Sequence, residues 1–267
     1  MVVVAHPGDE AFGFGGAIAS AAASGAYVVV VCVTRGWFDQ RLATGAPSAG
    51  GKNRDVKFGA VIWRNLDTVR EDELRRSVAL LGVRVVRMLD YAEGDLDGAD
   101  FDHLVGRIVE PIRMHRPEVI LSFGPDGVTG DSDHVVLSRA VRAAYDRAAQ
   151  PLAYEDDLEE DQVAWRAAKL YDLVVPRAAV AALQDRIGVG GYGSPGEPTV
   201  ALELGELAQL KLAAISRHVS QTGSEGPFTA WGPEATSAWL GTEHYRLAAS
   251  ALPASTDAEA TLFDGLP

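Results

Sequence analysis

Four short apolar runs punctuate the first half of the chain: VVVA at 2–5, YVVVVCVT at 27–34, VRVVRML at 83–89 and EVILSF at 118–123. Each is bounded by turn-forming residues, and the segments between them carry apolar positions at helical spacing. The runs are largely continuous rather than alternating, as in strands covered on both faces. Helices are predicted at AIASAAASG (17–25), TVREDELRRSVALLG (68–82) and FDHLVGRIVEPIRMHR (101–116), with Gly25 and Gly82 where a left-handed C-cap is needed. In the second of these, Val69, Leu74, Val78 and Leu81 fall on one face. Further on, VVLSRAVRAAYDRAA (135–149) and ELAQLKLAAISRHVSQ (206–221) read as helices, YDLVVP (171–176) as a strand and YEDDLEED (154–161) as a solvated loop. This alternation predicts an α/β fold with a Rossmann-like doubly wound, mostly parallel sheet. Residues 1–250 are expected to form a single domain, followed by a weakly patterned tail over 251–267.

Composition narrows the function classes. The 267 residues are 47% apolar, enough for one large core, and the formal net charge of −13 argues against a nucleic-acid or anionic-membrane partner. No apolar stretch approaches the roughly 20 residues that span a bilayer, and the opening run lacks the basic flank of a signal peptide. A cytoplasmic protein acting on a small molecule is expected, with homo-oligomerisation left open. Cys32 lies within an apolar run and reads as a core thiol, with no second cysteine for an internal disulfide.

The chemistry begins where the first apolar run ends. VVVAHPGDEAFGFGG (2–16) sets His6, Asp9 and Glu10 at the end of a buried strand, where such groups are costly unless a metal ion or another partner compensates. The glycines at 13, 15 and 16 do not complete a dinucleotide fingerprint: Ile18 stands where a third glycine would be needed, and Thr34 and Arg35 where an acid would close the second strand. They are read instead as allowing close packing of the first helix. The fourth run, EVILSF, ends in GPDGVTGDSDH, which supplies Asp126, Asp131, Asp133 and His134. Open α/β sheets bind ligands outside the carboxyl ends of their strands. A metal site at the carboxyl ends of strands one and four is therefore predicted, with His6, Asp9 and His134 as three N/O ligands of a catalytic Zn²⁺ or another divalent metal.

Taken together, AHPGDE (5–10), VTRG (33–36), Arg70 to Leu74, LDYAEGDLD (89–97), RPEVILSFGPDGVTGDSDH (116–134), HVSQ (218–221) and EHYRL (243–247) resemble the PIG-L/LmbE-like family. The resemblance implies a zinc-dependent N-deacetylase of N-acetylglucosamine conjugates, acting on an N-acylated sugar or glycoconjugate. The family's zinc ligands fall on His6, Asp9 and His134. Two departures stand out. The family's general base, the first Asp of H-P-D-D-E, falls on Gly8, and the His of H-P-D-H that serves the oxyanion falls on Asp131. Each such group is worth about 10²–10⁴ in rate. Either Asp131 is a relocated base, with Glu10 or Asp133 as other catalytic candidates, or the chain is a degenerate metal- or ligand-binding pseudoenzyme, or the metal assists a different reaction.

The remaining polar residues carry plainer readings beside functional ones. Asp9 could simply cap the first helix, and Arg70 and Glu73, one turn apart, could be a surface ion pair. The resemblance places Arg70 against substrate. Trp37 and His218 are further substrate-binding candidates, Trp37 from its bulk at a strand end and His218 from its motif, while His244 is shared between a pocket and a packing role. Asp126 suits an Asx-turn, Asp133 the orientation of a ligating His, and His103 and His115 surface or packing positions.

Overall fold

β1 (Val2–Val4) and β2 (Val29–Thr34) lie parallel, Val2 beside Val30 and Val4 beside Cys32, with every residue of both strands buried. β-branched runs this apolar can be accommodated only where helices cover both faces. The computed structural model describes residues 1–36, 66–128, 130–154, 162–175, 197–222, 232–253 and 259–266. Among them a seven-stranded sheet has the order β3-β2-β1-β4-β5-β7-β6. β3 (Val85–Tyr91), β4 (Val119–Phe123) and β5 (Lys169–Val174) continue the parallel set. β6 (Val200–Glu203) and β7 (Thr242–Ser250) close it as an antiparallel edge. These last two were not predicted as strands; β7 alternates buried and half-buried positions, a weaker signal than a continuous apolar run.

The helices are α1 (Asp9–Ala23), α2 (Leu66–Leu80), α3 (Phe101–His115), α4 (Ser132–Ala148), α5 (Leu207–Ile215), α6 (Val219–Thr222) and α7 (Gly232–Gly241). Gly25 and Gly82 take φ of 89° and 82°, as C-caps require. α1 starts eight residues earlier than its apolar pattern suggested, directly out of the HPGDE turn. Its glycines do allow close packing: a Cβ at Gly13 would lie 2.7 Å from a Leu173 methyl, and one at Gly16 only 2.3 Å from a Leu204 methyl. At that contact the Gly16 and Ala17 N–H groups donate to the buried Glu243, which also pairs with Lys211 Nζ at 2.9 Å. The segment beyond 250 is docked in part. Glu259 accepts from Lys169 and Tyr171 on β5, and Leu262 is buried.

Sheet order reverses between β1 and β4, so α1 and α4 leave their strands on opposite sides of a crevice. The turns after these two strands carry the polar clusters.

Candidate metal centre

His6 follows β1, Asp9 opens α1, and His134 stands in the first turn of α4. His6 Nδ1 and His134 Nε2 face each other at 3.2 Å, and Asp9 Oδ2 lies 3.5 Å from the first and 3.3 Å from the second. A tetrahedral metal with bonds of about 2.0–2.1 Å has ligand–ligand edges of roughly 3.3–3.4 Å, so the three atoms stand at coordination spacing. Asp131 joins more loosely: its carboxylate and the two imidazoles each offer an atom within 4.8 Å of the others.

The remote ring nitrogens decide which nitrogen is free. His6 Nε2 donates to Asp133 Oδ2 at 3.0 Å, and His134 Nδ1 donates to the Gly127 carbonyl at 3.0 Å. Each bond fixes a tautomer whose lone pair points into the cluster. The Phe123 ring stacks on His134 with centroids 3.9 Å apart and fixes the imidazole plane. Burial by itself would lower the His6 pKa, but the Asp133 hydrogen bond and the Asp9 charge reverse this and raise it to about 9. His134 is likewise raised: the Asp9 charge and hydrogen bond overcome the effect of burial. Burial opposes ionisation of Asp9, yet the two imidazoles hold its carboxyl well below the usual range. Two nitrogen donors and one carboxylate are the donor set expected for a divalent metal that keeps an open position.

Glu10, Asp133 and His218, carried from the sequence as catalytic or substrate-contacting candidates, with Asp133 also read as orienting a ligating His, are buried and hydrogen-bonded. Glu10 is fully buried and accepts from the Gly8 N–H (2.8 Å), the Ser77 hydroxyl (2.7 Å) and His218 Nε2 (2.7 Å). His218 is equally buried, so neither side chain is presented to a substrate. Asp133 is buried too; besides His6 it accepts from the Gly94 and Leu96 N–H groups, tying the loop after β3 to the cluster. Burial opposes its ionisation, but these hydrogen bonds prevail and lower its pKa.

Arg70 and Glu73 do not pair with each other and are not on the surface. The Arg70 guanidinium holds Glu93 and the Pro7 carbonyl, while its buried Nε has no hydrogen-bond partner. Glu73 accepts from the Ser220 N–H at 2.8 Å and from its hydroxyl. Arg70 thus steadies the turn between His6 and Asp9. Asp9 is the first residue of α1, not its cap; Gly8 holds that position with φ of 114°. Asp126 forms the expected Asx-turn, accepting from the Val128 N–H at 3.2 Å, and His103 contacts the Tyr91 hydroxyl at an exposed site. His244 sits within β7, half-buried between β5 and β6. Trp37 lies outside the described residues.

Asp131 is exposed, at the N-cap of α4, with Oδ1 accepting from the Asp133 and His134 N–H groups. Its Oδ2 makes no hydrogen bond among the described residues. Sequence reasoning overlooked Gln221, whose carboxamide lies against Gly8. The signal was available in HVSQ, but nothing in one dimension places that motif beside residue 8.

A family model, PIG-L: GlcNAc-PI de-N-acetylase, matches residues 1–145. A 1D-myo-inositol 2-acetamido-2-deoxy-alpha-D-glucopyranoside deacetylase of Geodermatophilus obscurus is 30% identical over the whole chain and 97% of its own length. The chain belongs to the PIG-L family. The corresponding deacetylase of Streptomyces griseus is also 30% identical, over the whole chain and 88% of its own length. Among solved structures, the N,N'-diacetylchitobiose deacetylase of Pyrococcus horikoshii superposes with a TM-score of 0.69 at 18% identity, covering 92% of this chain and 82% of that one. GalB, the 4-carboxy-2-hydroxymuconate hydratase of Pseudomonas putida, superposes at 0.65 with 18% identity, covering 97% and 98%. Both likenesses concern the fold. With deacetylases as relatives and the metal cluster assembled, the reading as a degenerate PIG-L pseudoenzyme is not favoured.

Proposed function

We propose that this PIG-L protein is a zinc-dependent hydrolase that removes the acyl group from an N-acylated amino sugar or glycoconjugate, with Asp131 as its proton acceptor. The observation that carries the reading is the convergence of His6 Nδ1, Asp9 Oδ2 and His134 Nε2, with both remote ring nitrogens engaged. His6, Asp9 and His134 would hold the metal, which when bound supplies Lewis acidity and acidifies a coordinated water.

The chain's own residues supply the rest. Water adds to the acyl carbon and gives up a proton. The C–N bond then breaks, releasing a carboxylic acid and an amine that must gain a proton. Glu10 and Asp133 are saturated with donors and buried, whereas Asp131 is exposed with one oxygen free of partners among the described residues. Asp131 takes the first proton and passes it to the leaving nitrogen. Asp133 and Gly127 keep the two imidazoles in the ligating tautomers throughout. Arg70 fixes the Pro7 carbonyl and so the turn bearing both first-strand ligands.

The test joins metal analysis to amine release. Purified protein exposed to Zn²⁺ and dialysed should hold about one ion per chain. It should free a primary amine from an N-acetylglucosamine conjugate; His134→Ala should lose both properties, and Asp131→Asn should keep the metal while losing about 10²-fold or more in rate. Absence of bound metal from the parent protein would sink the reading.

A further inference from the structure

Amide hydrolysis needs a donor for the developing oxyanion as well as an acceptor for the water proton. In this chain an exposed carboxylate, Asp131, stands where the family pattern has an imidazole, and no side chain at all stands at residue 8. The volume next to Gly8 is nevertheless filled. A Cβ built on Gly8 would lie 2.3 Å from Gln221 Oε1 and 3.1 Å from both Cδ and Nε2, so the carboxamide covers the point where a side chain at residue 8 would begin.

Two buried carboxylates fix the backbone that carries it. Glu10 binds the Gly8 N–H and His218 at once, joining the HPGDE turn to the segment that leads into α6. Glu73 receives the Ser220 N–H and hydroxyl immediately before Gln221. The Gln221 side chain itself is exposed, and its carboxamide has no hydrogen-bond partner among the described residues. It is neutral and carries two N–H donors, so it sets a donor beside residue 8, next in sequence to Asp9, without adding a third negative charge to Asp9 and Asp131.

We propose that Gln221 supplies the oxyanion hydrogen bond, so that acceptor and donor have exchanged positions: carboxylate at residue 131, donor over residue 8. The inference rests on the hydrolase reading above and adds a catalytic residue to it.

The experiment compares parent protein, Gln221→Ala and Gln221→Glu, each loaded with zinc and checked for metal content and melting temperature. Calorimetry measures binding of two probes: N-acetylglucosamine, with a planar amide, and a methylphosphonamidate of glucosamine, whose tetrahedral oxygens mimic the oxyanion. Gln221→Ala is expected to weaken the tetrahedral probe about 10- to 100-fold while changing the amide probe by less than about threefold, with kcat falling by the same factor as the tetrahedral affinity. Gln221→Glu, of the same length but without donors, should lose at least as much. Equal effects on both probes, or none, would overturn the proposal, as would a gain of activity in Gln221→Glu, which would assign that place to a base. Should the parent protein bind neither metal nor either probe, the hydrolase reading fails instead and takes the inference with it.

Discussion

Restoring the family's acid by Gly8→Asp is the obvious way to test whether this PIG-L centre has merely lost a base, and the structure predicts that it fails. Gly8 has φ 114° and ψ −38°, a conformation that L residues rarely adopt and that costs them about 1–3 kcal/mol. The new Cβ would also meet Gln221 Oε1 at 2.3 Å. That atom is the tip of an exposed, flexible side chain, so it swings away at little cost in stability, and the backbone strain dominates. For a domain of this size about 1 kcal/mol moves the melting temperature by roughly 2–4 °C, giving an expected fall of roughly 2–12 °C. Because the strain belongs to the Cβ, Gly8→Ala should fall equally. Activity should drop in both, since displacing Gln221 removes the donor proposed above. Calorimetric melting of the zinc-free proteins beside amine-release assays of the loaded ones decides the matter. A Gly8→Ala protein melting within about 1 °C of the parent would refute the strain argument, and a large gain in rate for Gly8→Asp would refute the relocation of the base.

Three further outcomes are expected. Asp133→Asn removes the acceptor that fixes the His6 tautomer and two backbone partners, so zinc affinity should fall about 10- to 100-fold in a chelator competition; an unchanged affinity would mean that Asp133 does not orient His6. In the zinc-free protein the folded His6 pKa of about 9 lies above the ordinary imidazole value of 6.5, so this group's stabilisation is fully present below pH 6.5 and is lost as pH rises through 9. The loss is on the order of 3 kcal/mol, whereas zinc affinity should rise over the same range as the competing proton leaves. Denaturant titrations at pH 6.5 and 9 read the first trend and competition titrations the second; a zinc-free protein more stable at the higher pH would contradict the assignment. His218→Ala leaves the fully buried Glu10 without its imidazole partner. It should cost about 3–5 kcal/mol, seen as a lower denaturation midpoint, while a surface role for His218 would leave the midpoint in place.

Much of the fold was legible because the parallel strands announce themselves as apolar runs. β1, β2 and β4 are buried on both faces, so burial alone selects their composition, and the turns after β1 and β4 show their polar residues at once. β6 and β7 were not legible, because their apolar positions alternate only weakly and their antiparallel pairing, β7 on β5 and β6 on β7, is made over long range. The cluster of His6, Asp9 and His134 could be named from spacing and resemblance, since each residue sits in a short turn with strong local chemistry. Of the supporting roles, the orientation of a ligating His by Asp133 was anticipated, whereas the partners of Glu10 and His218 were not. Glu10, Asp133 and His218 carry the same side chains whether they face a substrate or lie buried, and only their partners distinguish the two. Glu10 meets His218 across 208 residues, and Asp133 meets His6 across 127. The sequence by itself determined that a PIG-L sheet would form and that a His–Asp–His set would stand at its crevice, because those follow from local pattern. Only tertiary structure decided which acids are saturated and which is exposed, and that the gap at Gly8 is covered by Gln221. Those outcomes depend on long-range packing, where the cost of an unpaired buried charge selects the partners.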